Sequence, residues 1–341
     1  MHGALPAQTP RDPGCFEAEA RGPRRNPGGG RLRPSDGAGQ RVLAEPPGRN
    51  VTSSPQRRKL CPMTVSHREQ RAQFDRDGYV VLRDVIKDAT LEGLKAAIAE
   101  HVEAHDPEAD KAVFRTDDRD AGREESFFAS ARGIQGFLEA EAVDEEGELS
   151  APRDRCLNKI GHALHDLDPE FGALARSPLV KDAFSIGGVE RPRLVQSMVI
   201  FKPPGIGGEV RWHQDASYLL TRPQRVVGLW IALEDADRSN GCLWMSPGAH
   251  RSPLRERFEV DWASRRGELR DLDPTPWPTE AVPLEVRAGS MVVFHDHMPH
   301  RSEANRSPRS RAAVTLHAHA ADAEWAPENW LQRDPLPPFD L

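Results

Sequence analysis

Apolar and polar positions change their rhythm along the chain. Residues 1–62 carry almost no apolar periodicity, and ordered patterning starts at "SHREQRAQFDRDGYVVL". There Ser66 and Glu69 stand at the spacing of a helix capping box, which predicts a short helix followed by a strand, "GYVVLRDV". From Thr90 onward Leu91, Leu94, Ile98 and Val102 recur at near-helical spacing, so "TLEGLKAAIAEHVEAH" is predicted to be an amphipathic helix. The stretches "DDRDAGREES" and "DEEGELSAP" read as exposed connections. From about residue 192 the pattern becomes short β-type runs: "RLVQSMVIFK", "RVVGLWIALED", "CLWMSPG", "SMVVFHDH" and "RAAVTLHAHA". They are rich in Val, Ile, Leu and Trp and bounded by Gly, Pro, Asn and Asp, which predicts a mainly β sandwich or barrel with the earlier helices packed outside. Between two of these runs, residues 251–280 are polar and are expected to form a long loop that lies over a binding site, with 115–155 as a second region of substrate choice.

Composition alters this picture mainly at the N-terminus. Residues 1–62 hold 9 Gly and 10 Pro, too few apolar groups to offset the entropy of ordering, and are expected to be a disordered tail. They are read as a solvated tail or as sequence ahead of a start at Met63, leaving 63–341 as a single domain. The tail carries a balance of +6 and the remainder −13, out of −7 overall. An acidic remainder argues against a surface that tracks phosphates, so no nucleic-acid partner is expected. No apolar run approaches the ~18 residues of a membrane span, and no secretory h-region is present. The four cysteines, Cys15, Cys61, Cys156 and Cys242, are scattered and form no zinc-type pair, which points to a reducing, cytoplasmic setting. No heptad or apolar face makes an oligomeric state legible.

Candidate chemistry begins at "RWHQDASYL". His213 and Asp215 are two apart on an extended segment and therefore point to one side, where imidazole and carboxylate can converge on a cation. They are two of the three ligands of the facial triad of non-haem Fe(II) sites, which needs another His from a distant strand. Alone, the pair also fits a surface His beside an acid. The second element is "HDHMPHRSEANRSPRSRAAVTL": His300 can supply the missing imidazole, and an Arg on the next strand can grip a carboxylate through two parallel hydrogen bonds. Strand parity does not choose between Arg309 and Arg311.

From "LNKIGHALHDLDPEF" through "LVQSMVIFKPPGIGGEVRWHQDASYL", "GLWIALEDADRSNGCLWMSPGAHR", "HDHMPHRSEANRSPRSR" and "WAPENWLQ", the chain resembles the phytanoyl-CoA dioxygenase family. Within it, the likeness is greater to the phytanoyl-CoA dioxygenase domain-containing proteins than to phytanoyl-CoA hydroxylase, and covers roughly residues 68–341. The resemblance implies a double-stranded β-helix core, a cupin-like jelly roll, that uses Fe(II), 2-oxoglutarate and O2, with ascorbate in support. It implies His213, Asp215 and His300 as iron ligands and Arg311, eleven positions after His300, as the grip on 2-oxoglutarate. Lys159, Met198, Gln214, Trp230 and Ser302 would complete the cosubstrate pocket. Because Asp215 is present, it also implies hydroxylation or a related oxidation of a small organic substrate rather than halogenation, with release of succinate and CO2.

Other histidines fit packing roles. His295 and His297 extend a core strand, His250 follows a Pro-Gly turn, and His162 and His165 fit either the pocket mouth or a helix or loop surface. His317 and His319 share parity with Arg311, so one of them can look into the barrel. Trp325 and Trp330 are expected to pack the C-terminal segment. Two rival readings remain: a barrel that binds metal and 2-oxoglutarate as a sensor or scaffold, and a cupin-type metalloenzyme that does not use 2-oxoglutarate.

Overall fold

A computed structural model describes residues 65–107, 112–114, 125–146 and 148–341. The expected tail, 1–62, and most of "DDRDAGREES" lie outside the described residues, as does the side chain of the capping residue Ser66. The first predicted elements are present: a helix over Val65–Asp77, a strand Tyr79–Leu82 and a helix Asp88–Ala104. Gly78 makes the turn between the first two with φ of 82°, a backbone conformation that a side chain would strain.

Two sheets carry the fold. The larger joins Tyr79–Leu82, Met291–His295, Val226–Ala232, Arg311–Ala320, Pro192–Lys202, Leu157–His162, Ile134–Glu139 and Val113–Phe114 in that order, with Phe339–Asp340 added beside Pro192–Lys202. The smaller runs Val282–Leu284, Leu243–Met245, His300–Ser302 and Val210–His213. Every expected β run is a strand, but the large sheet also takes in Ile134–Glu139 and Leu157–His162, which the reading from residue 192 onward missed. In the buried Leu157–His162 every position is covered, so no apolar–polar alternation marks it as a strand.

Alternation along the central strands separates two cores. On one face Leu229, Ile231, Val314 and Leu316 are buried with Leu94, Phe171, Val180 and Phe184 of the helices. Burying each such side chain contributes about 1.5–3 kcal/mol. On the other face Trp230, Val292, Phe294 and Ala313 meet Leu243, Met245 and Leu284 of the small sheet, which closes a jelly-roll barrel. Residues 251–280 differ from the expected loop, because Glu256–Asp261 pairs with Arg266–Asp271 as a hairpin. Its buried Phe258 and Val260 alternate with more exposed charges, a two-residue rhythm masked by the surrounding arginines and acids. Among the described residues no helix is long and apolar enough to cross a membrane.

Candidate metal and 2-oxoglutarate site

Antiparallel pairing in the small sheet sets His300 directly opposite His213, with ring centroids 4.1 Å apart. The strand ends at His213, Gln214 stays extended, and a single helical turn opens at Asp215. This local shape puts the Asp215 carboxylate on the His213 side: its Oδ1 lies 3.8 Å from His213 Nε2 and 3.7 Å from His300 Nε2. One potential ligand atom from each of the three residues falls within a 4.8 Å cluster, the one group of this kind among the described residues.

Hydrogen bonds around the cluster prepare it for a cation. Nδ1 of His213 donates to the Arg211 carbonyl at 2.9 Å, and Nδ1 of His300 donates to the Met298 carbonyl at 2.9 Å. A carbonyl only accepts, so Nδ1 carries the proton in both rings and both Nε2 lone pairs face the cluster. Burial pushes His300 down to about 4, which keeps its ring neutral near pH 7. Burial pushes the Asp215 carboxyl up, yet His317, His300 and His213 outweigh it and hold the group well below the usual carboxylate range. Two imidazoles with Nε2 turned inward and one carboxylate on a single side form the donor set expected of a non-haem Fe(II) triad.

Gln214 turns the other way and is not brought to the cluster. Its Nε2 donates to the carbonyls of Pro253 and His297 at 3.1 and 3.0 Å, and its Oε1 accepts from Arg255 N at 3.1 Å. The single-residue offset from each ligand reverses its strand face, so it braces the ligand turn against neighbouring loops.

On the inner face of the large sheet, Gly161, Met198, Thr315 and Trp230 are successive cross-strand neighbours. Lys159, Ile200, Ala313 and Ala232 form the adjoining row, and Arg311 pairs with Lys202 in the next. Arg311 is 2% exposed, with its guanidinium carbon 5.7 Å from the centre of the Trp230 ring. Its Nε and Nη1 have no hydrogen-bond acceptor among the described residues. Burial lowers Arg311 to about 10 and Lys159 to about 7. Burying a guanidinium with two N–H groups unmatched is costly unless an anion meets them, so Arg311 fits the carboxylate of a cosubstrate. Arg309, by contrast, is exposed and paired with Asp237 and Ser239 on the surface. Ser302 is buried at the end of the His300 strand.

Residues 74–313 match the sequence profile of the phytanoyl-CoA dioxygenase (PhyH) family. The chain belongs to the phytanoyl-CoA dioxygenase family. Phytanoyl-CoA dioxygenase 1 of Oryza sativa subsp. japonica is 42% identical over 278 residues, spanning 80% of this chain and 96% of that protein. Phytanoyl-CoA dioxygenase domain-containing protein 1 of Danio rerio is 38% identical over 280 residues, spanning 78% of this chain and 95% of that protein. Among solved structures, the non-haem alpha-ketoglutarate-dependent carbocyclase SnoK superimposes with a TM-score of 0.54 at 21% identity, covering 79% of this chain and 90% of SnoK. EctD from S. alaskensis, solved with 2-oxoglutarate and 5-hydroxyectoine, gives 0.50 at 22% identity, covering 79% of this chain and 81% of EctD. These structural likenesses share the jelly-roll fold, and membership of the family makes the chain an oxidoreductase of the dioxygenase type.

The remaining histidines are distributed by packing. His295 pairs with Asp296 at 2.8 Å and stacks towards His250 and His297, apart from the cluster. His165 is buried, with Ser197 Oγ at 2.7 Å and Arg333 Nη1 at 2.8 Å, and is not at a pocket mouth. His162 meets Ser130 Oγ at 2.9 Å and the edge of Trp330. His319 stacks near Trp325, whose Nε1 donates to the Leu331 carbonyl. The residue that strand parity left open is His317, whose Nε2 reaches Asp215 Oδ2 at 3.0 Å.

Proposed function

We propose that residues 63–341 form a non-haem Fe(II)- and 2-oxoglutarate-dependent hydroxylase of a small organic substrate. His213 Nε2, Asp215 Oδ1 and His300 Nε2 would hold Fe(II), leaving positions for cosubstrate and oxygen. Bound there, the iron supplies the redox chemistry by which one substrate C–H, 2-oxoglutarate and O2 become C–OH, succinate and CO2. The observation that carries the cosubstrate assignment is the buried Arg311 guanidinium with two unmatched N–H groups. Its planar fork suits the far carboxylate of 2-oxoglutarate, with Lys159 as a further cation and Met198, Trp230 and Ser302 shaping the pocket.

His317 and Arg311 stand six residues apart on one inward strand face, about 20 Å between Cα atoms. Asp215 meets the His317 end, which supports a reading with cosubstrate towards the Arg311 end and substrate towards the His317 end. Beside His213 are aromatic groups: Tyr218 lies 6.5 Å from the His213 ring and Phe258 6.1 Å from Tyr218. They suit a substrate with an apolar portion and leave its identity open to a screen. Incubation with Fe(II), 2-oxoglutarate, ascorbate and a metabolite extract should yield a product heavier by one oxygen, one for each succinate formed. Succinate formation with no oxidised product from any extract would favour a sensor.

A further inference from the structure

The inward positions of the strand Arg311–Ala320 include His317, which is 4% exposed. A carboxylate accepts hydrogen bonds and cannot donate them, so the 3.0 Å contact between His317 Nε2 and Asp215 Oδ2 requires the proton on Nε2. The two oxygens of Asp215 are thereby divided. Oδ1 faces the Nε2 atoms of His213 and His300 at 3.8 and 3.7 Å, whereas Oδ2 is taken by His317. The terminal torsion of a carboxylate is broad and roughly two-fold, and His317 is hydrogen-bonded to one of the two oxygens that such a rotation would exchange. Its other nitrogen, Nδ1, is buried without a hydrogen-bond partner among the described residues, so its ring is not held from the far side.

We propose that His317 is a positioning residue for the metal site: by donating from Nε2 to Asp215 Oδ2 it presents Oδ1 alone to the cation. The inference rests on the reading of the triad as a metal centre. A bland alternative is that His317 simply fills space beside Phe294, whose ring centroid is 6.4 Å away.

Substitutions that separate donor position from volume distinguish the two. In His317→Gln the amide nitrogen falls near the place of Nε2, in His317→Asn it falls nearer Nδ1, and His317→Leu has no donor. Purified, metal-stripped full-length proteins are titrated with Co(II), following visible absorption for dissociation constant and ligand field, with thermal melts in parallel. Removing such an outer partner typically weakens metal binding about 10–100-fold. That loss and an altered Co(II) spectrum are expected for His317→Asn and His317→Leu, with His317→Gln within about 3-fold of the parent. The Gln and Asn pair carries the comparison if the Leu variant is unstable. Equal affinity in His317→Asn and the parent, or equal loss in His317→Gln and His317→Asn, overturns the positioning role. If the parent binds Co(II) no better than Asp215→Ala, the metal reading itself falls and takes this inference with it.

Discussion

His300 lies directly across the strand pair from His213, and the two rings meet at 4.1 Å between centroids although 87 residues separate them in sequence. Each ring is oriented by a backbone carbonyl behind it, so both present Nε2 to the same point as Asp215. A surface His-Asp pair has no need of such convergence.

Arg311 is expected to recognise the cosubstrate. Two charge-assisted hydrogen bonds, each about 1.5–3 kcal/mol, make Arg311→Met weaken 2-oxoglutarate binding at least about 100-fold by calorimetry. Arg311→Lys should recover little, since an ammonium cannot reproduce the fork. Without cosubstrate, Arg311→Met should melt no lower than the parent, because it removes a buried charge that lacks a partner for Nε and Nη1. A large drop in melting temperature together with unchanged 2-oxoglutarate affinity would assign Arg311 to structure instead.

Arg309 makes the opposite case. It is paired with Asp237 at the surface, where side-chain exposure is 50% and 37%. Such pairs contribute about 0–1 kcal/mol, so Arg309→Ala should leave the KM for 2-oxoglutarate within about twofold and change stability little.

Binding of 2-oxoglutarate should depend on pH through Lys159, which burial lowers to about 7. Below that value the ammonium is charged and attracts carboxylate; above it the neutral amine does not. The dissociation constant should therefore rise as pH climbs from 7 to 9, with proton uptake on binding seen as a buffer-dependent enthalpy. Lys202, lowered to about 7 by burial and by Arg311, acts in the same direction. The slope should become shallower in Lys159→Met, and an unchanged slope would remove Lys159 from the pocket.

His295 and His297 should be dispensable for metal. His295→Ala and His297→Ala are expected to bind one Co(II) per chain with the parent's affinity, since the His295 ring pairs with Asp296 away from the cluster. Loss of the metal in either would reassign the third ligand.

Much of the candidate site could be read before the fold because its parts obey simple local geometry. His213 closes a strand and Gln214 continues extended, which keeps Asp215 on the His213 side, and the antiparallel register brings His300 to them. The choice of Arg311 over Arg309 could not be made from parity, because both belong to one alternating run; it rested on the family resemblance, and in the fold Asp237 holds Arg309 at the surface while Arg311 is buried. Gln214 was expected in the pocket through its neighbours, but a one-residue offset sends it to Pro253 and His297. The strands Ile134–Glu139 and Leu157–His162 escaped notice because both lie in a sheet extension whose buried faces hide the period of two. The contact of His317 with Asp215 links residues 102 apart, and no local pattern records such a pairing.

If the three clustered side chains hold a catalytic iron, Asp215→Ala should remove both the metal and the turnover that depends on it. Succinate formed from 2-oxoglutarate under air is measured with and without Fe(II), in the parent and in the variant, alongside metal content. The parent should bind about one iron and form succinate only when iron is present, whereas Asp215→Ala should stay folded, bind little iron and lose turnover by about 1000-fold or more, the scale of about 4 kcal/mol in the barrier. Iron-dependent succinate formation at the parent's rate in Asp215→Ala would exclude Asp215 as a ligand of the catalytic iron.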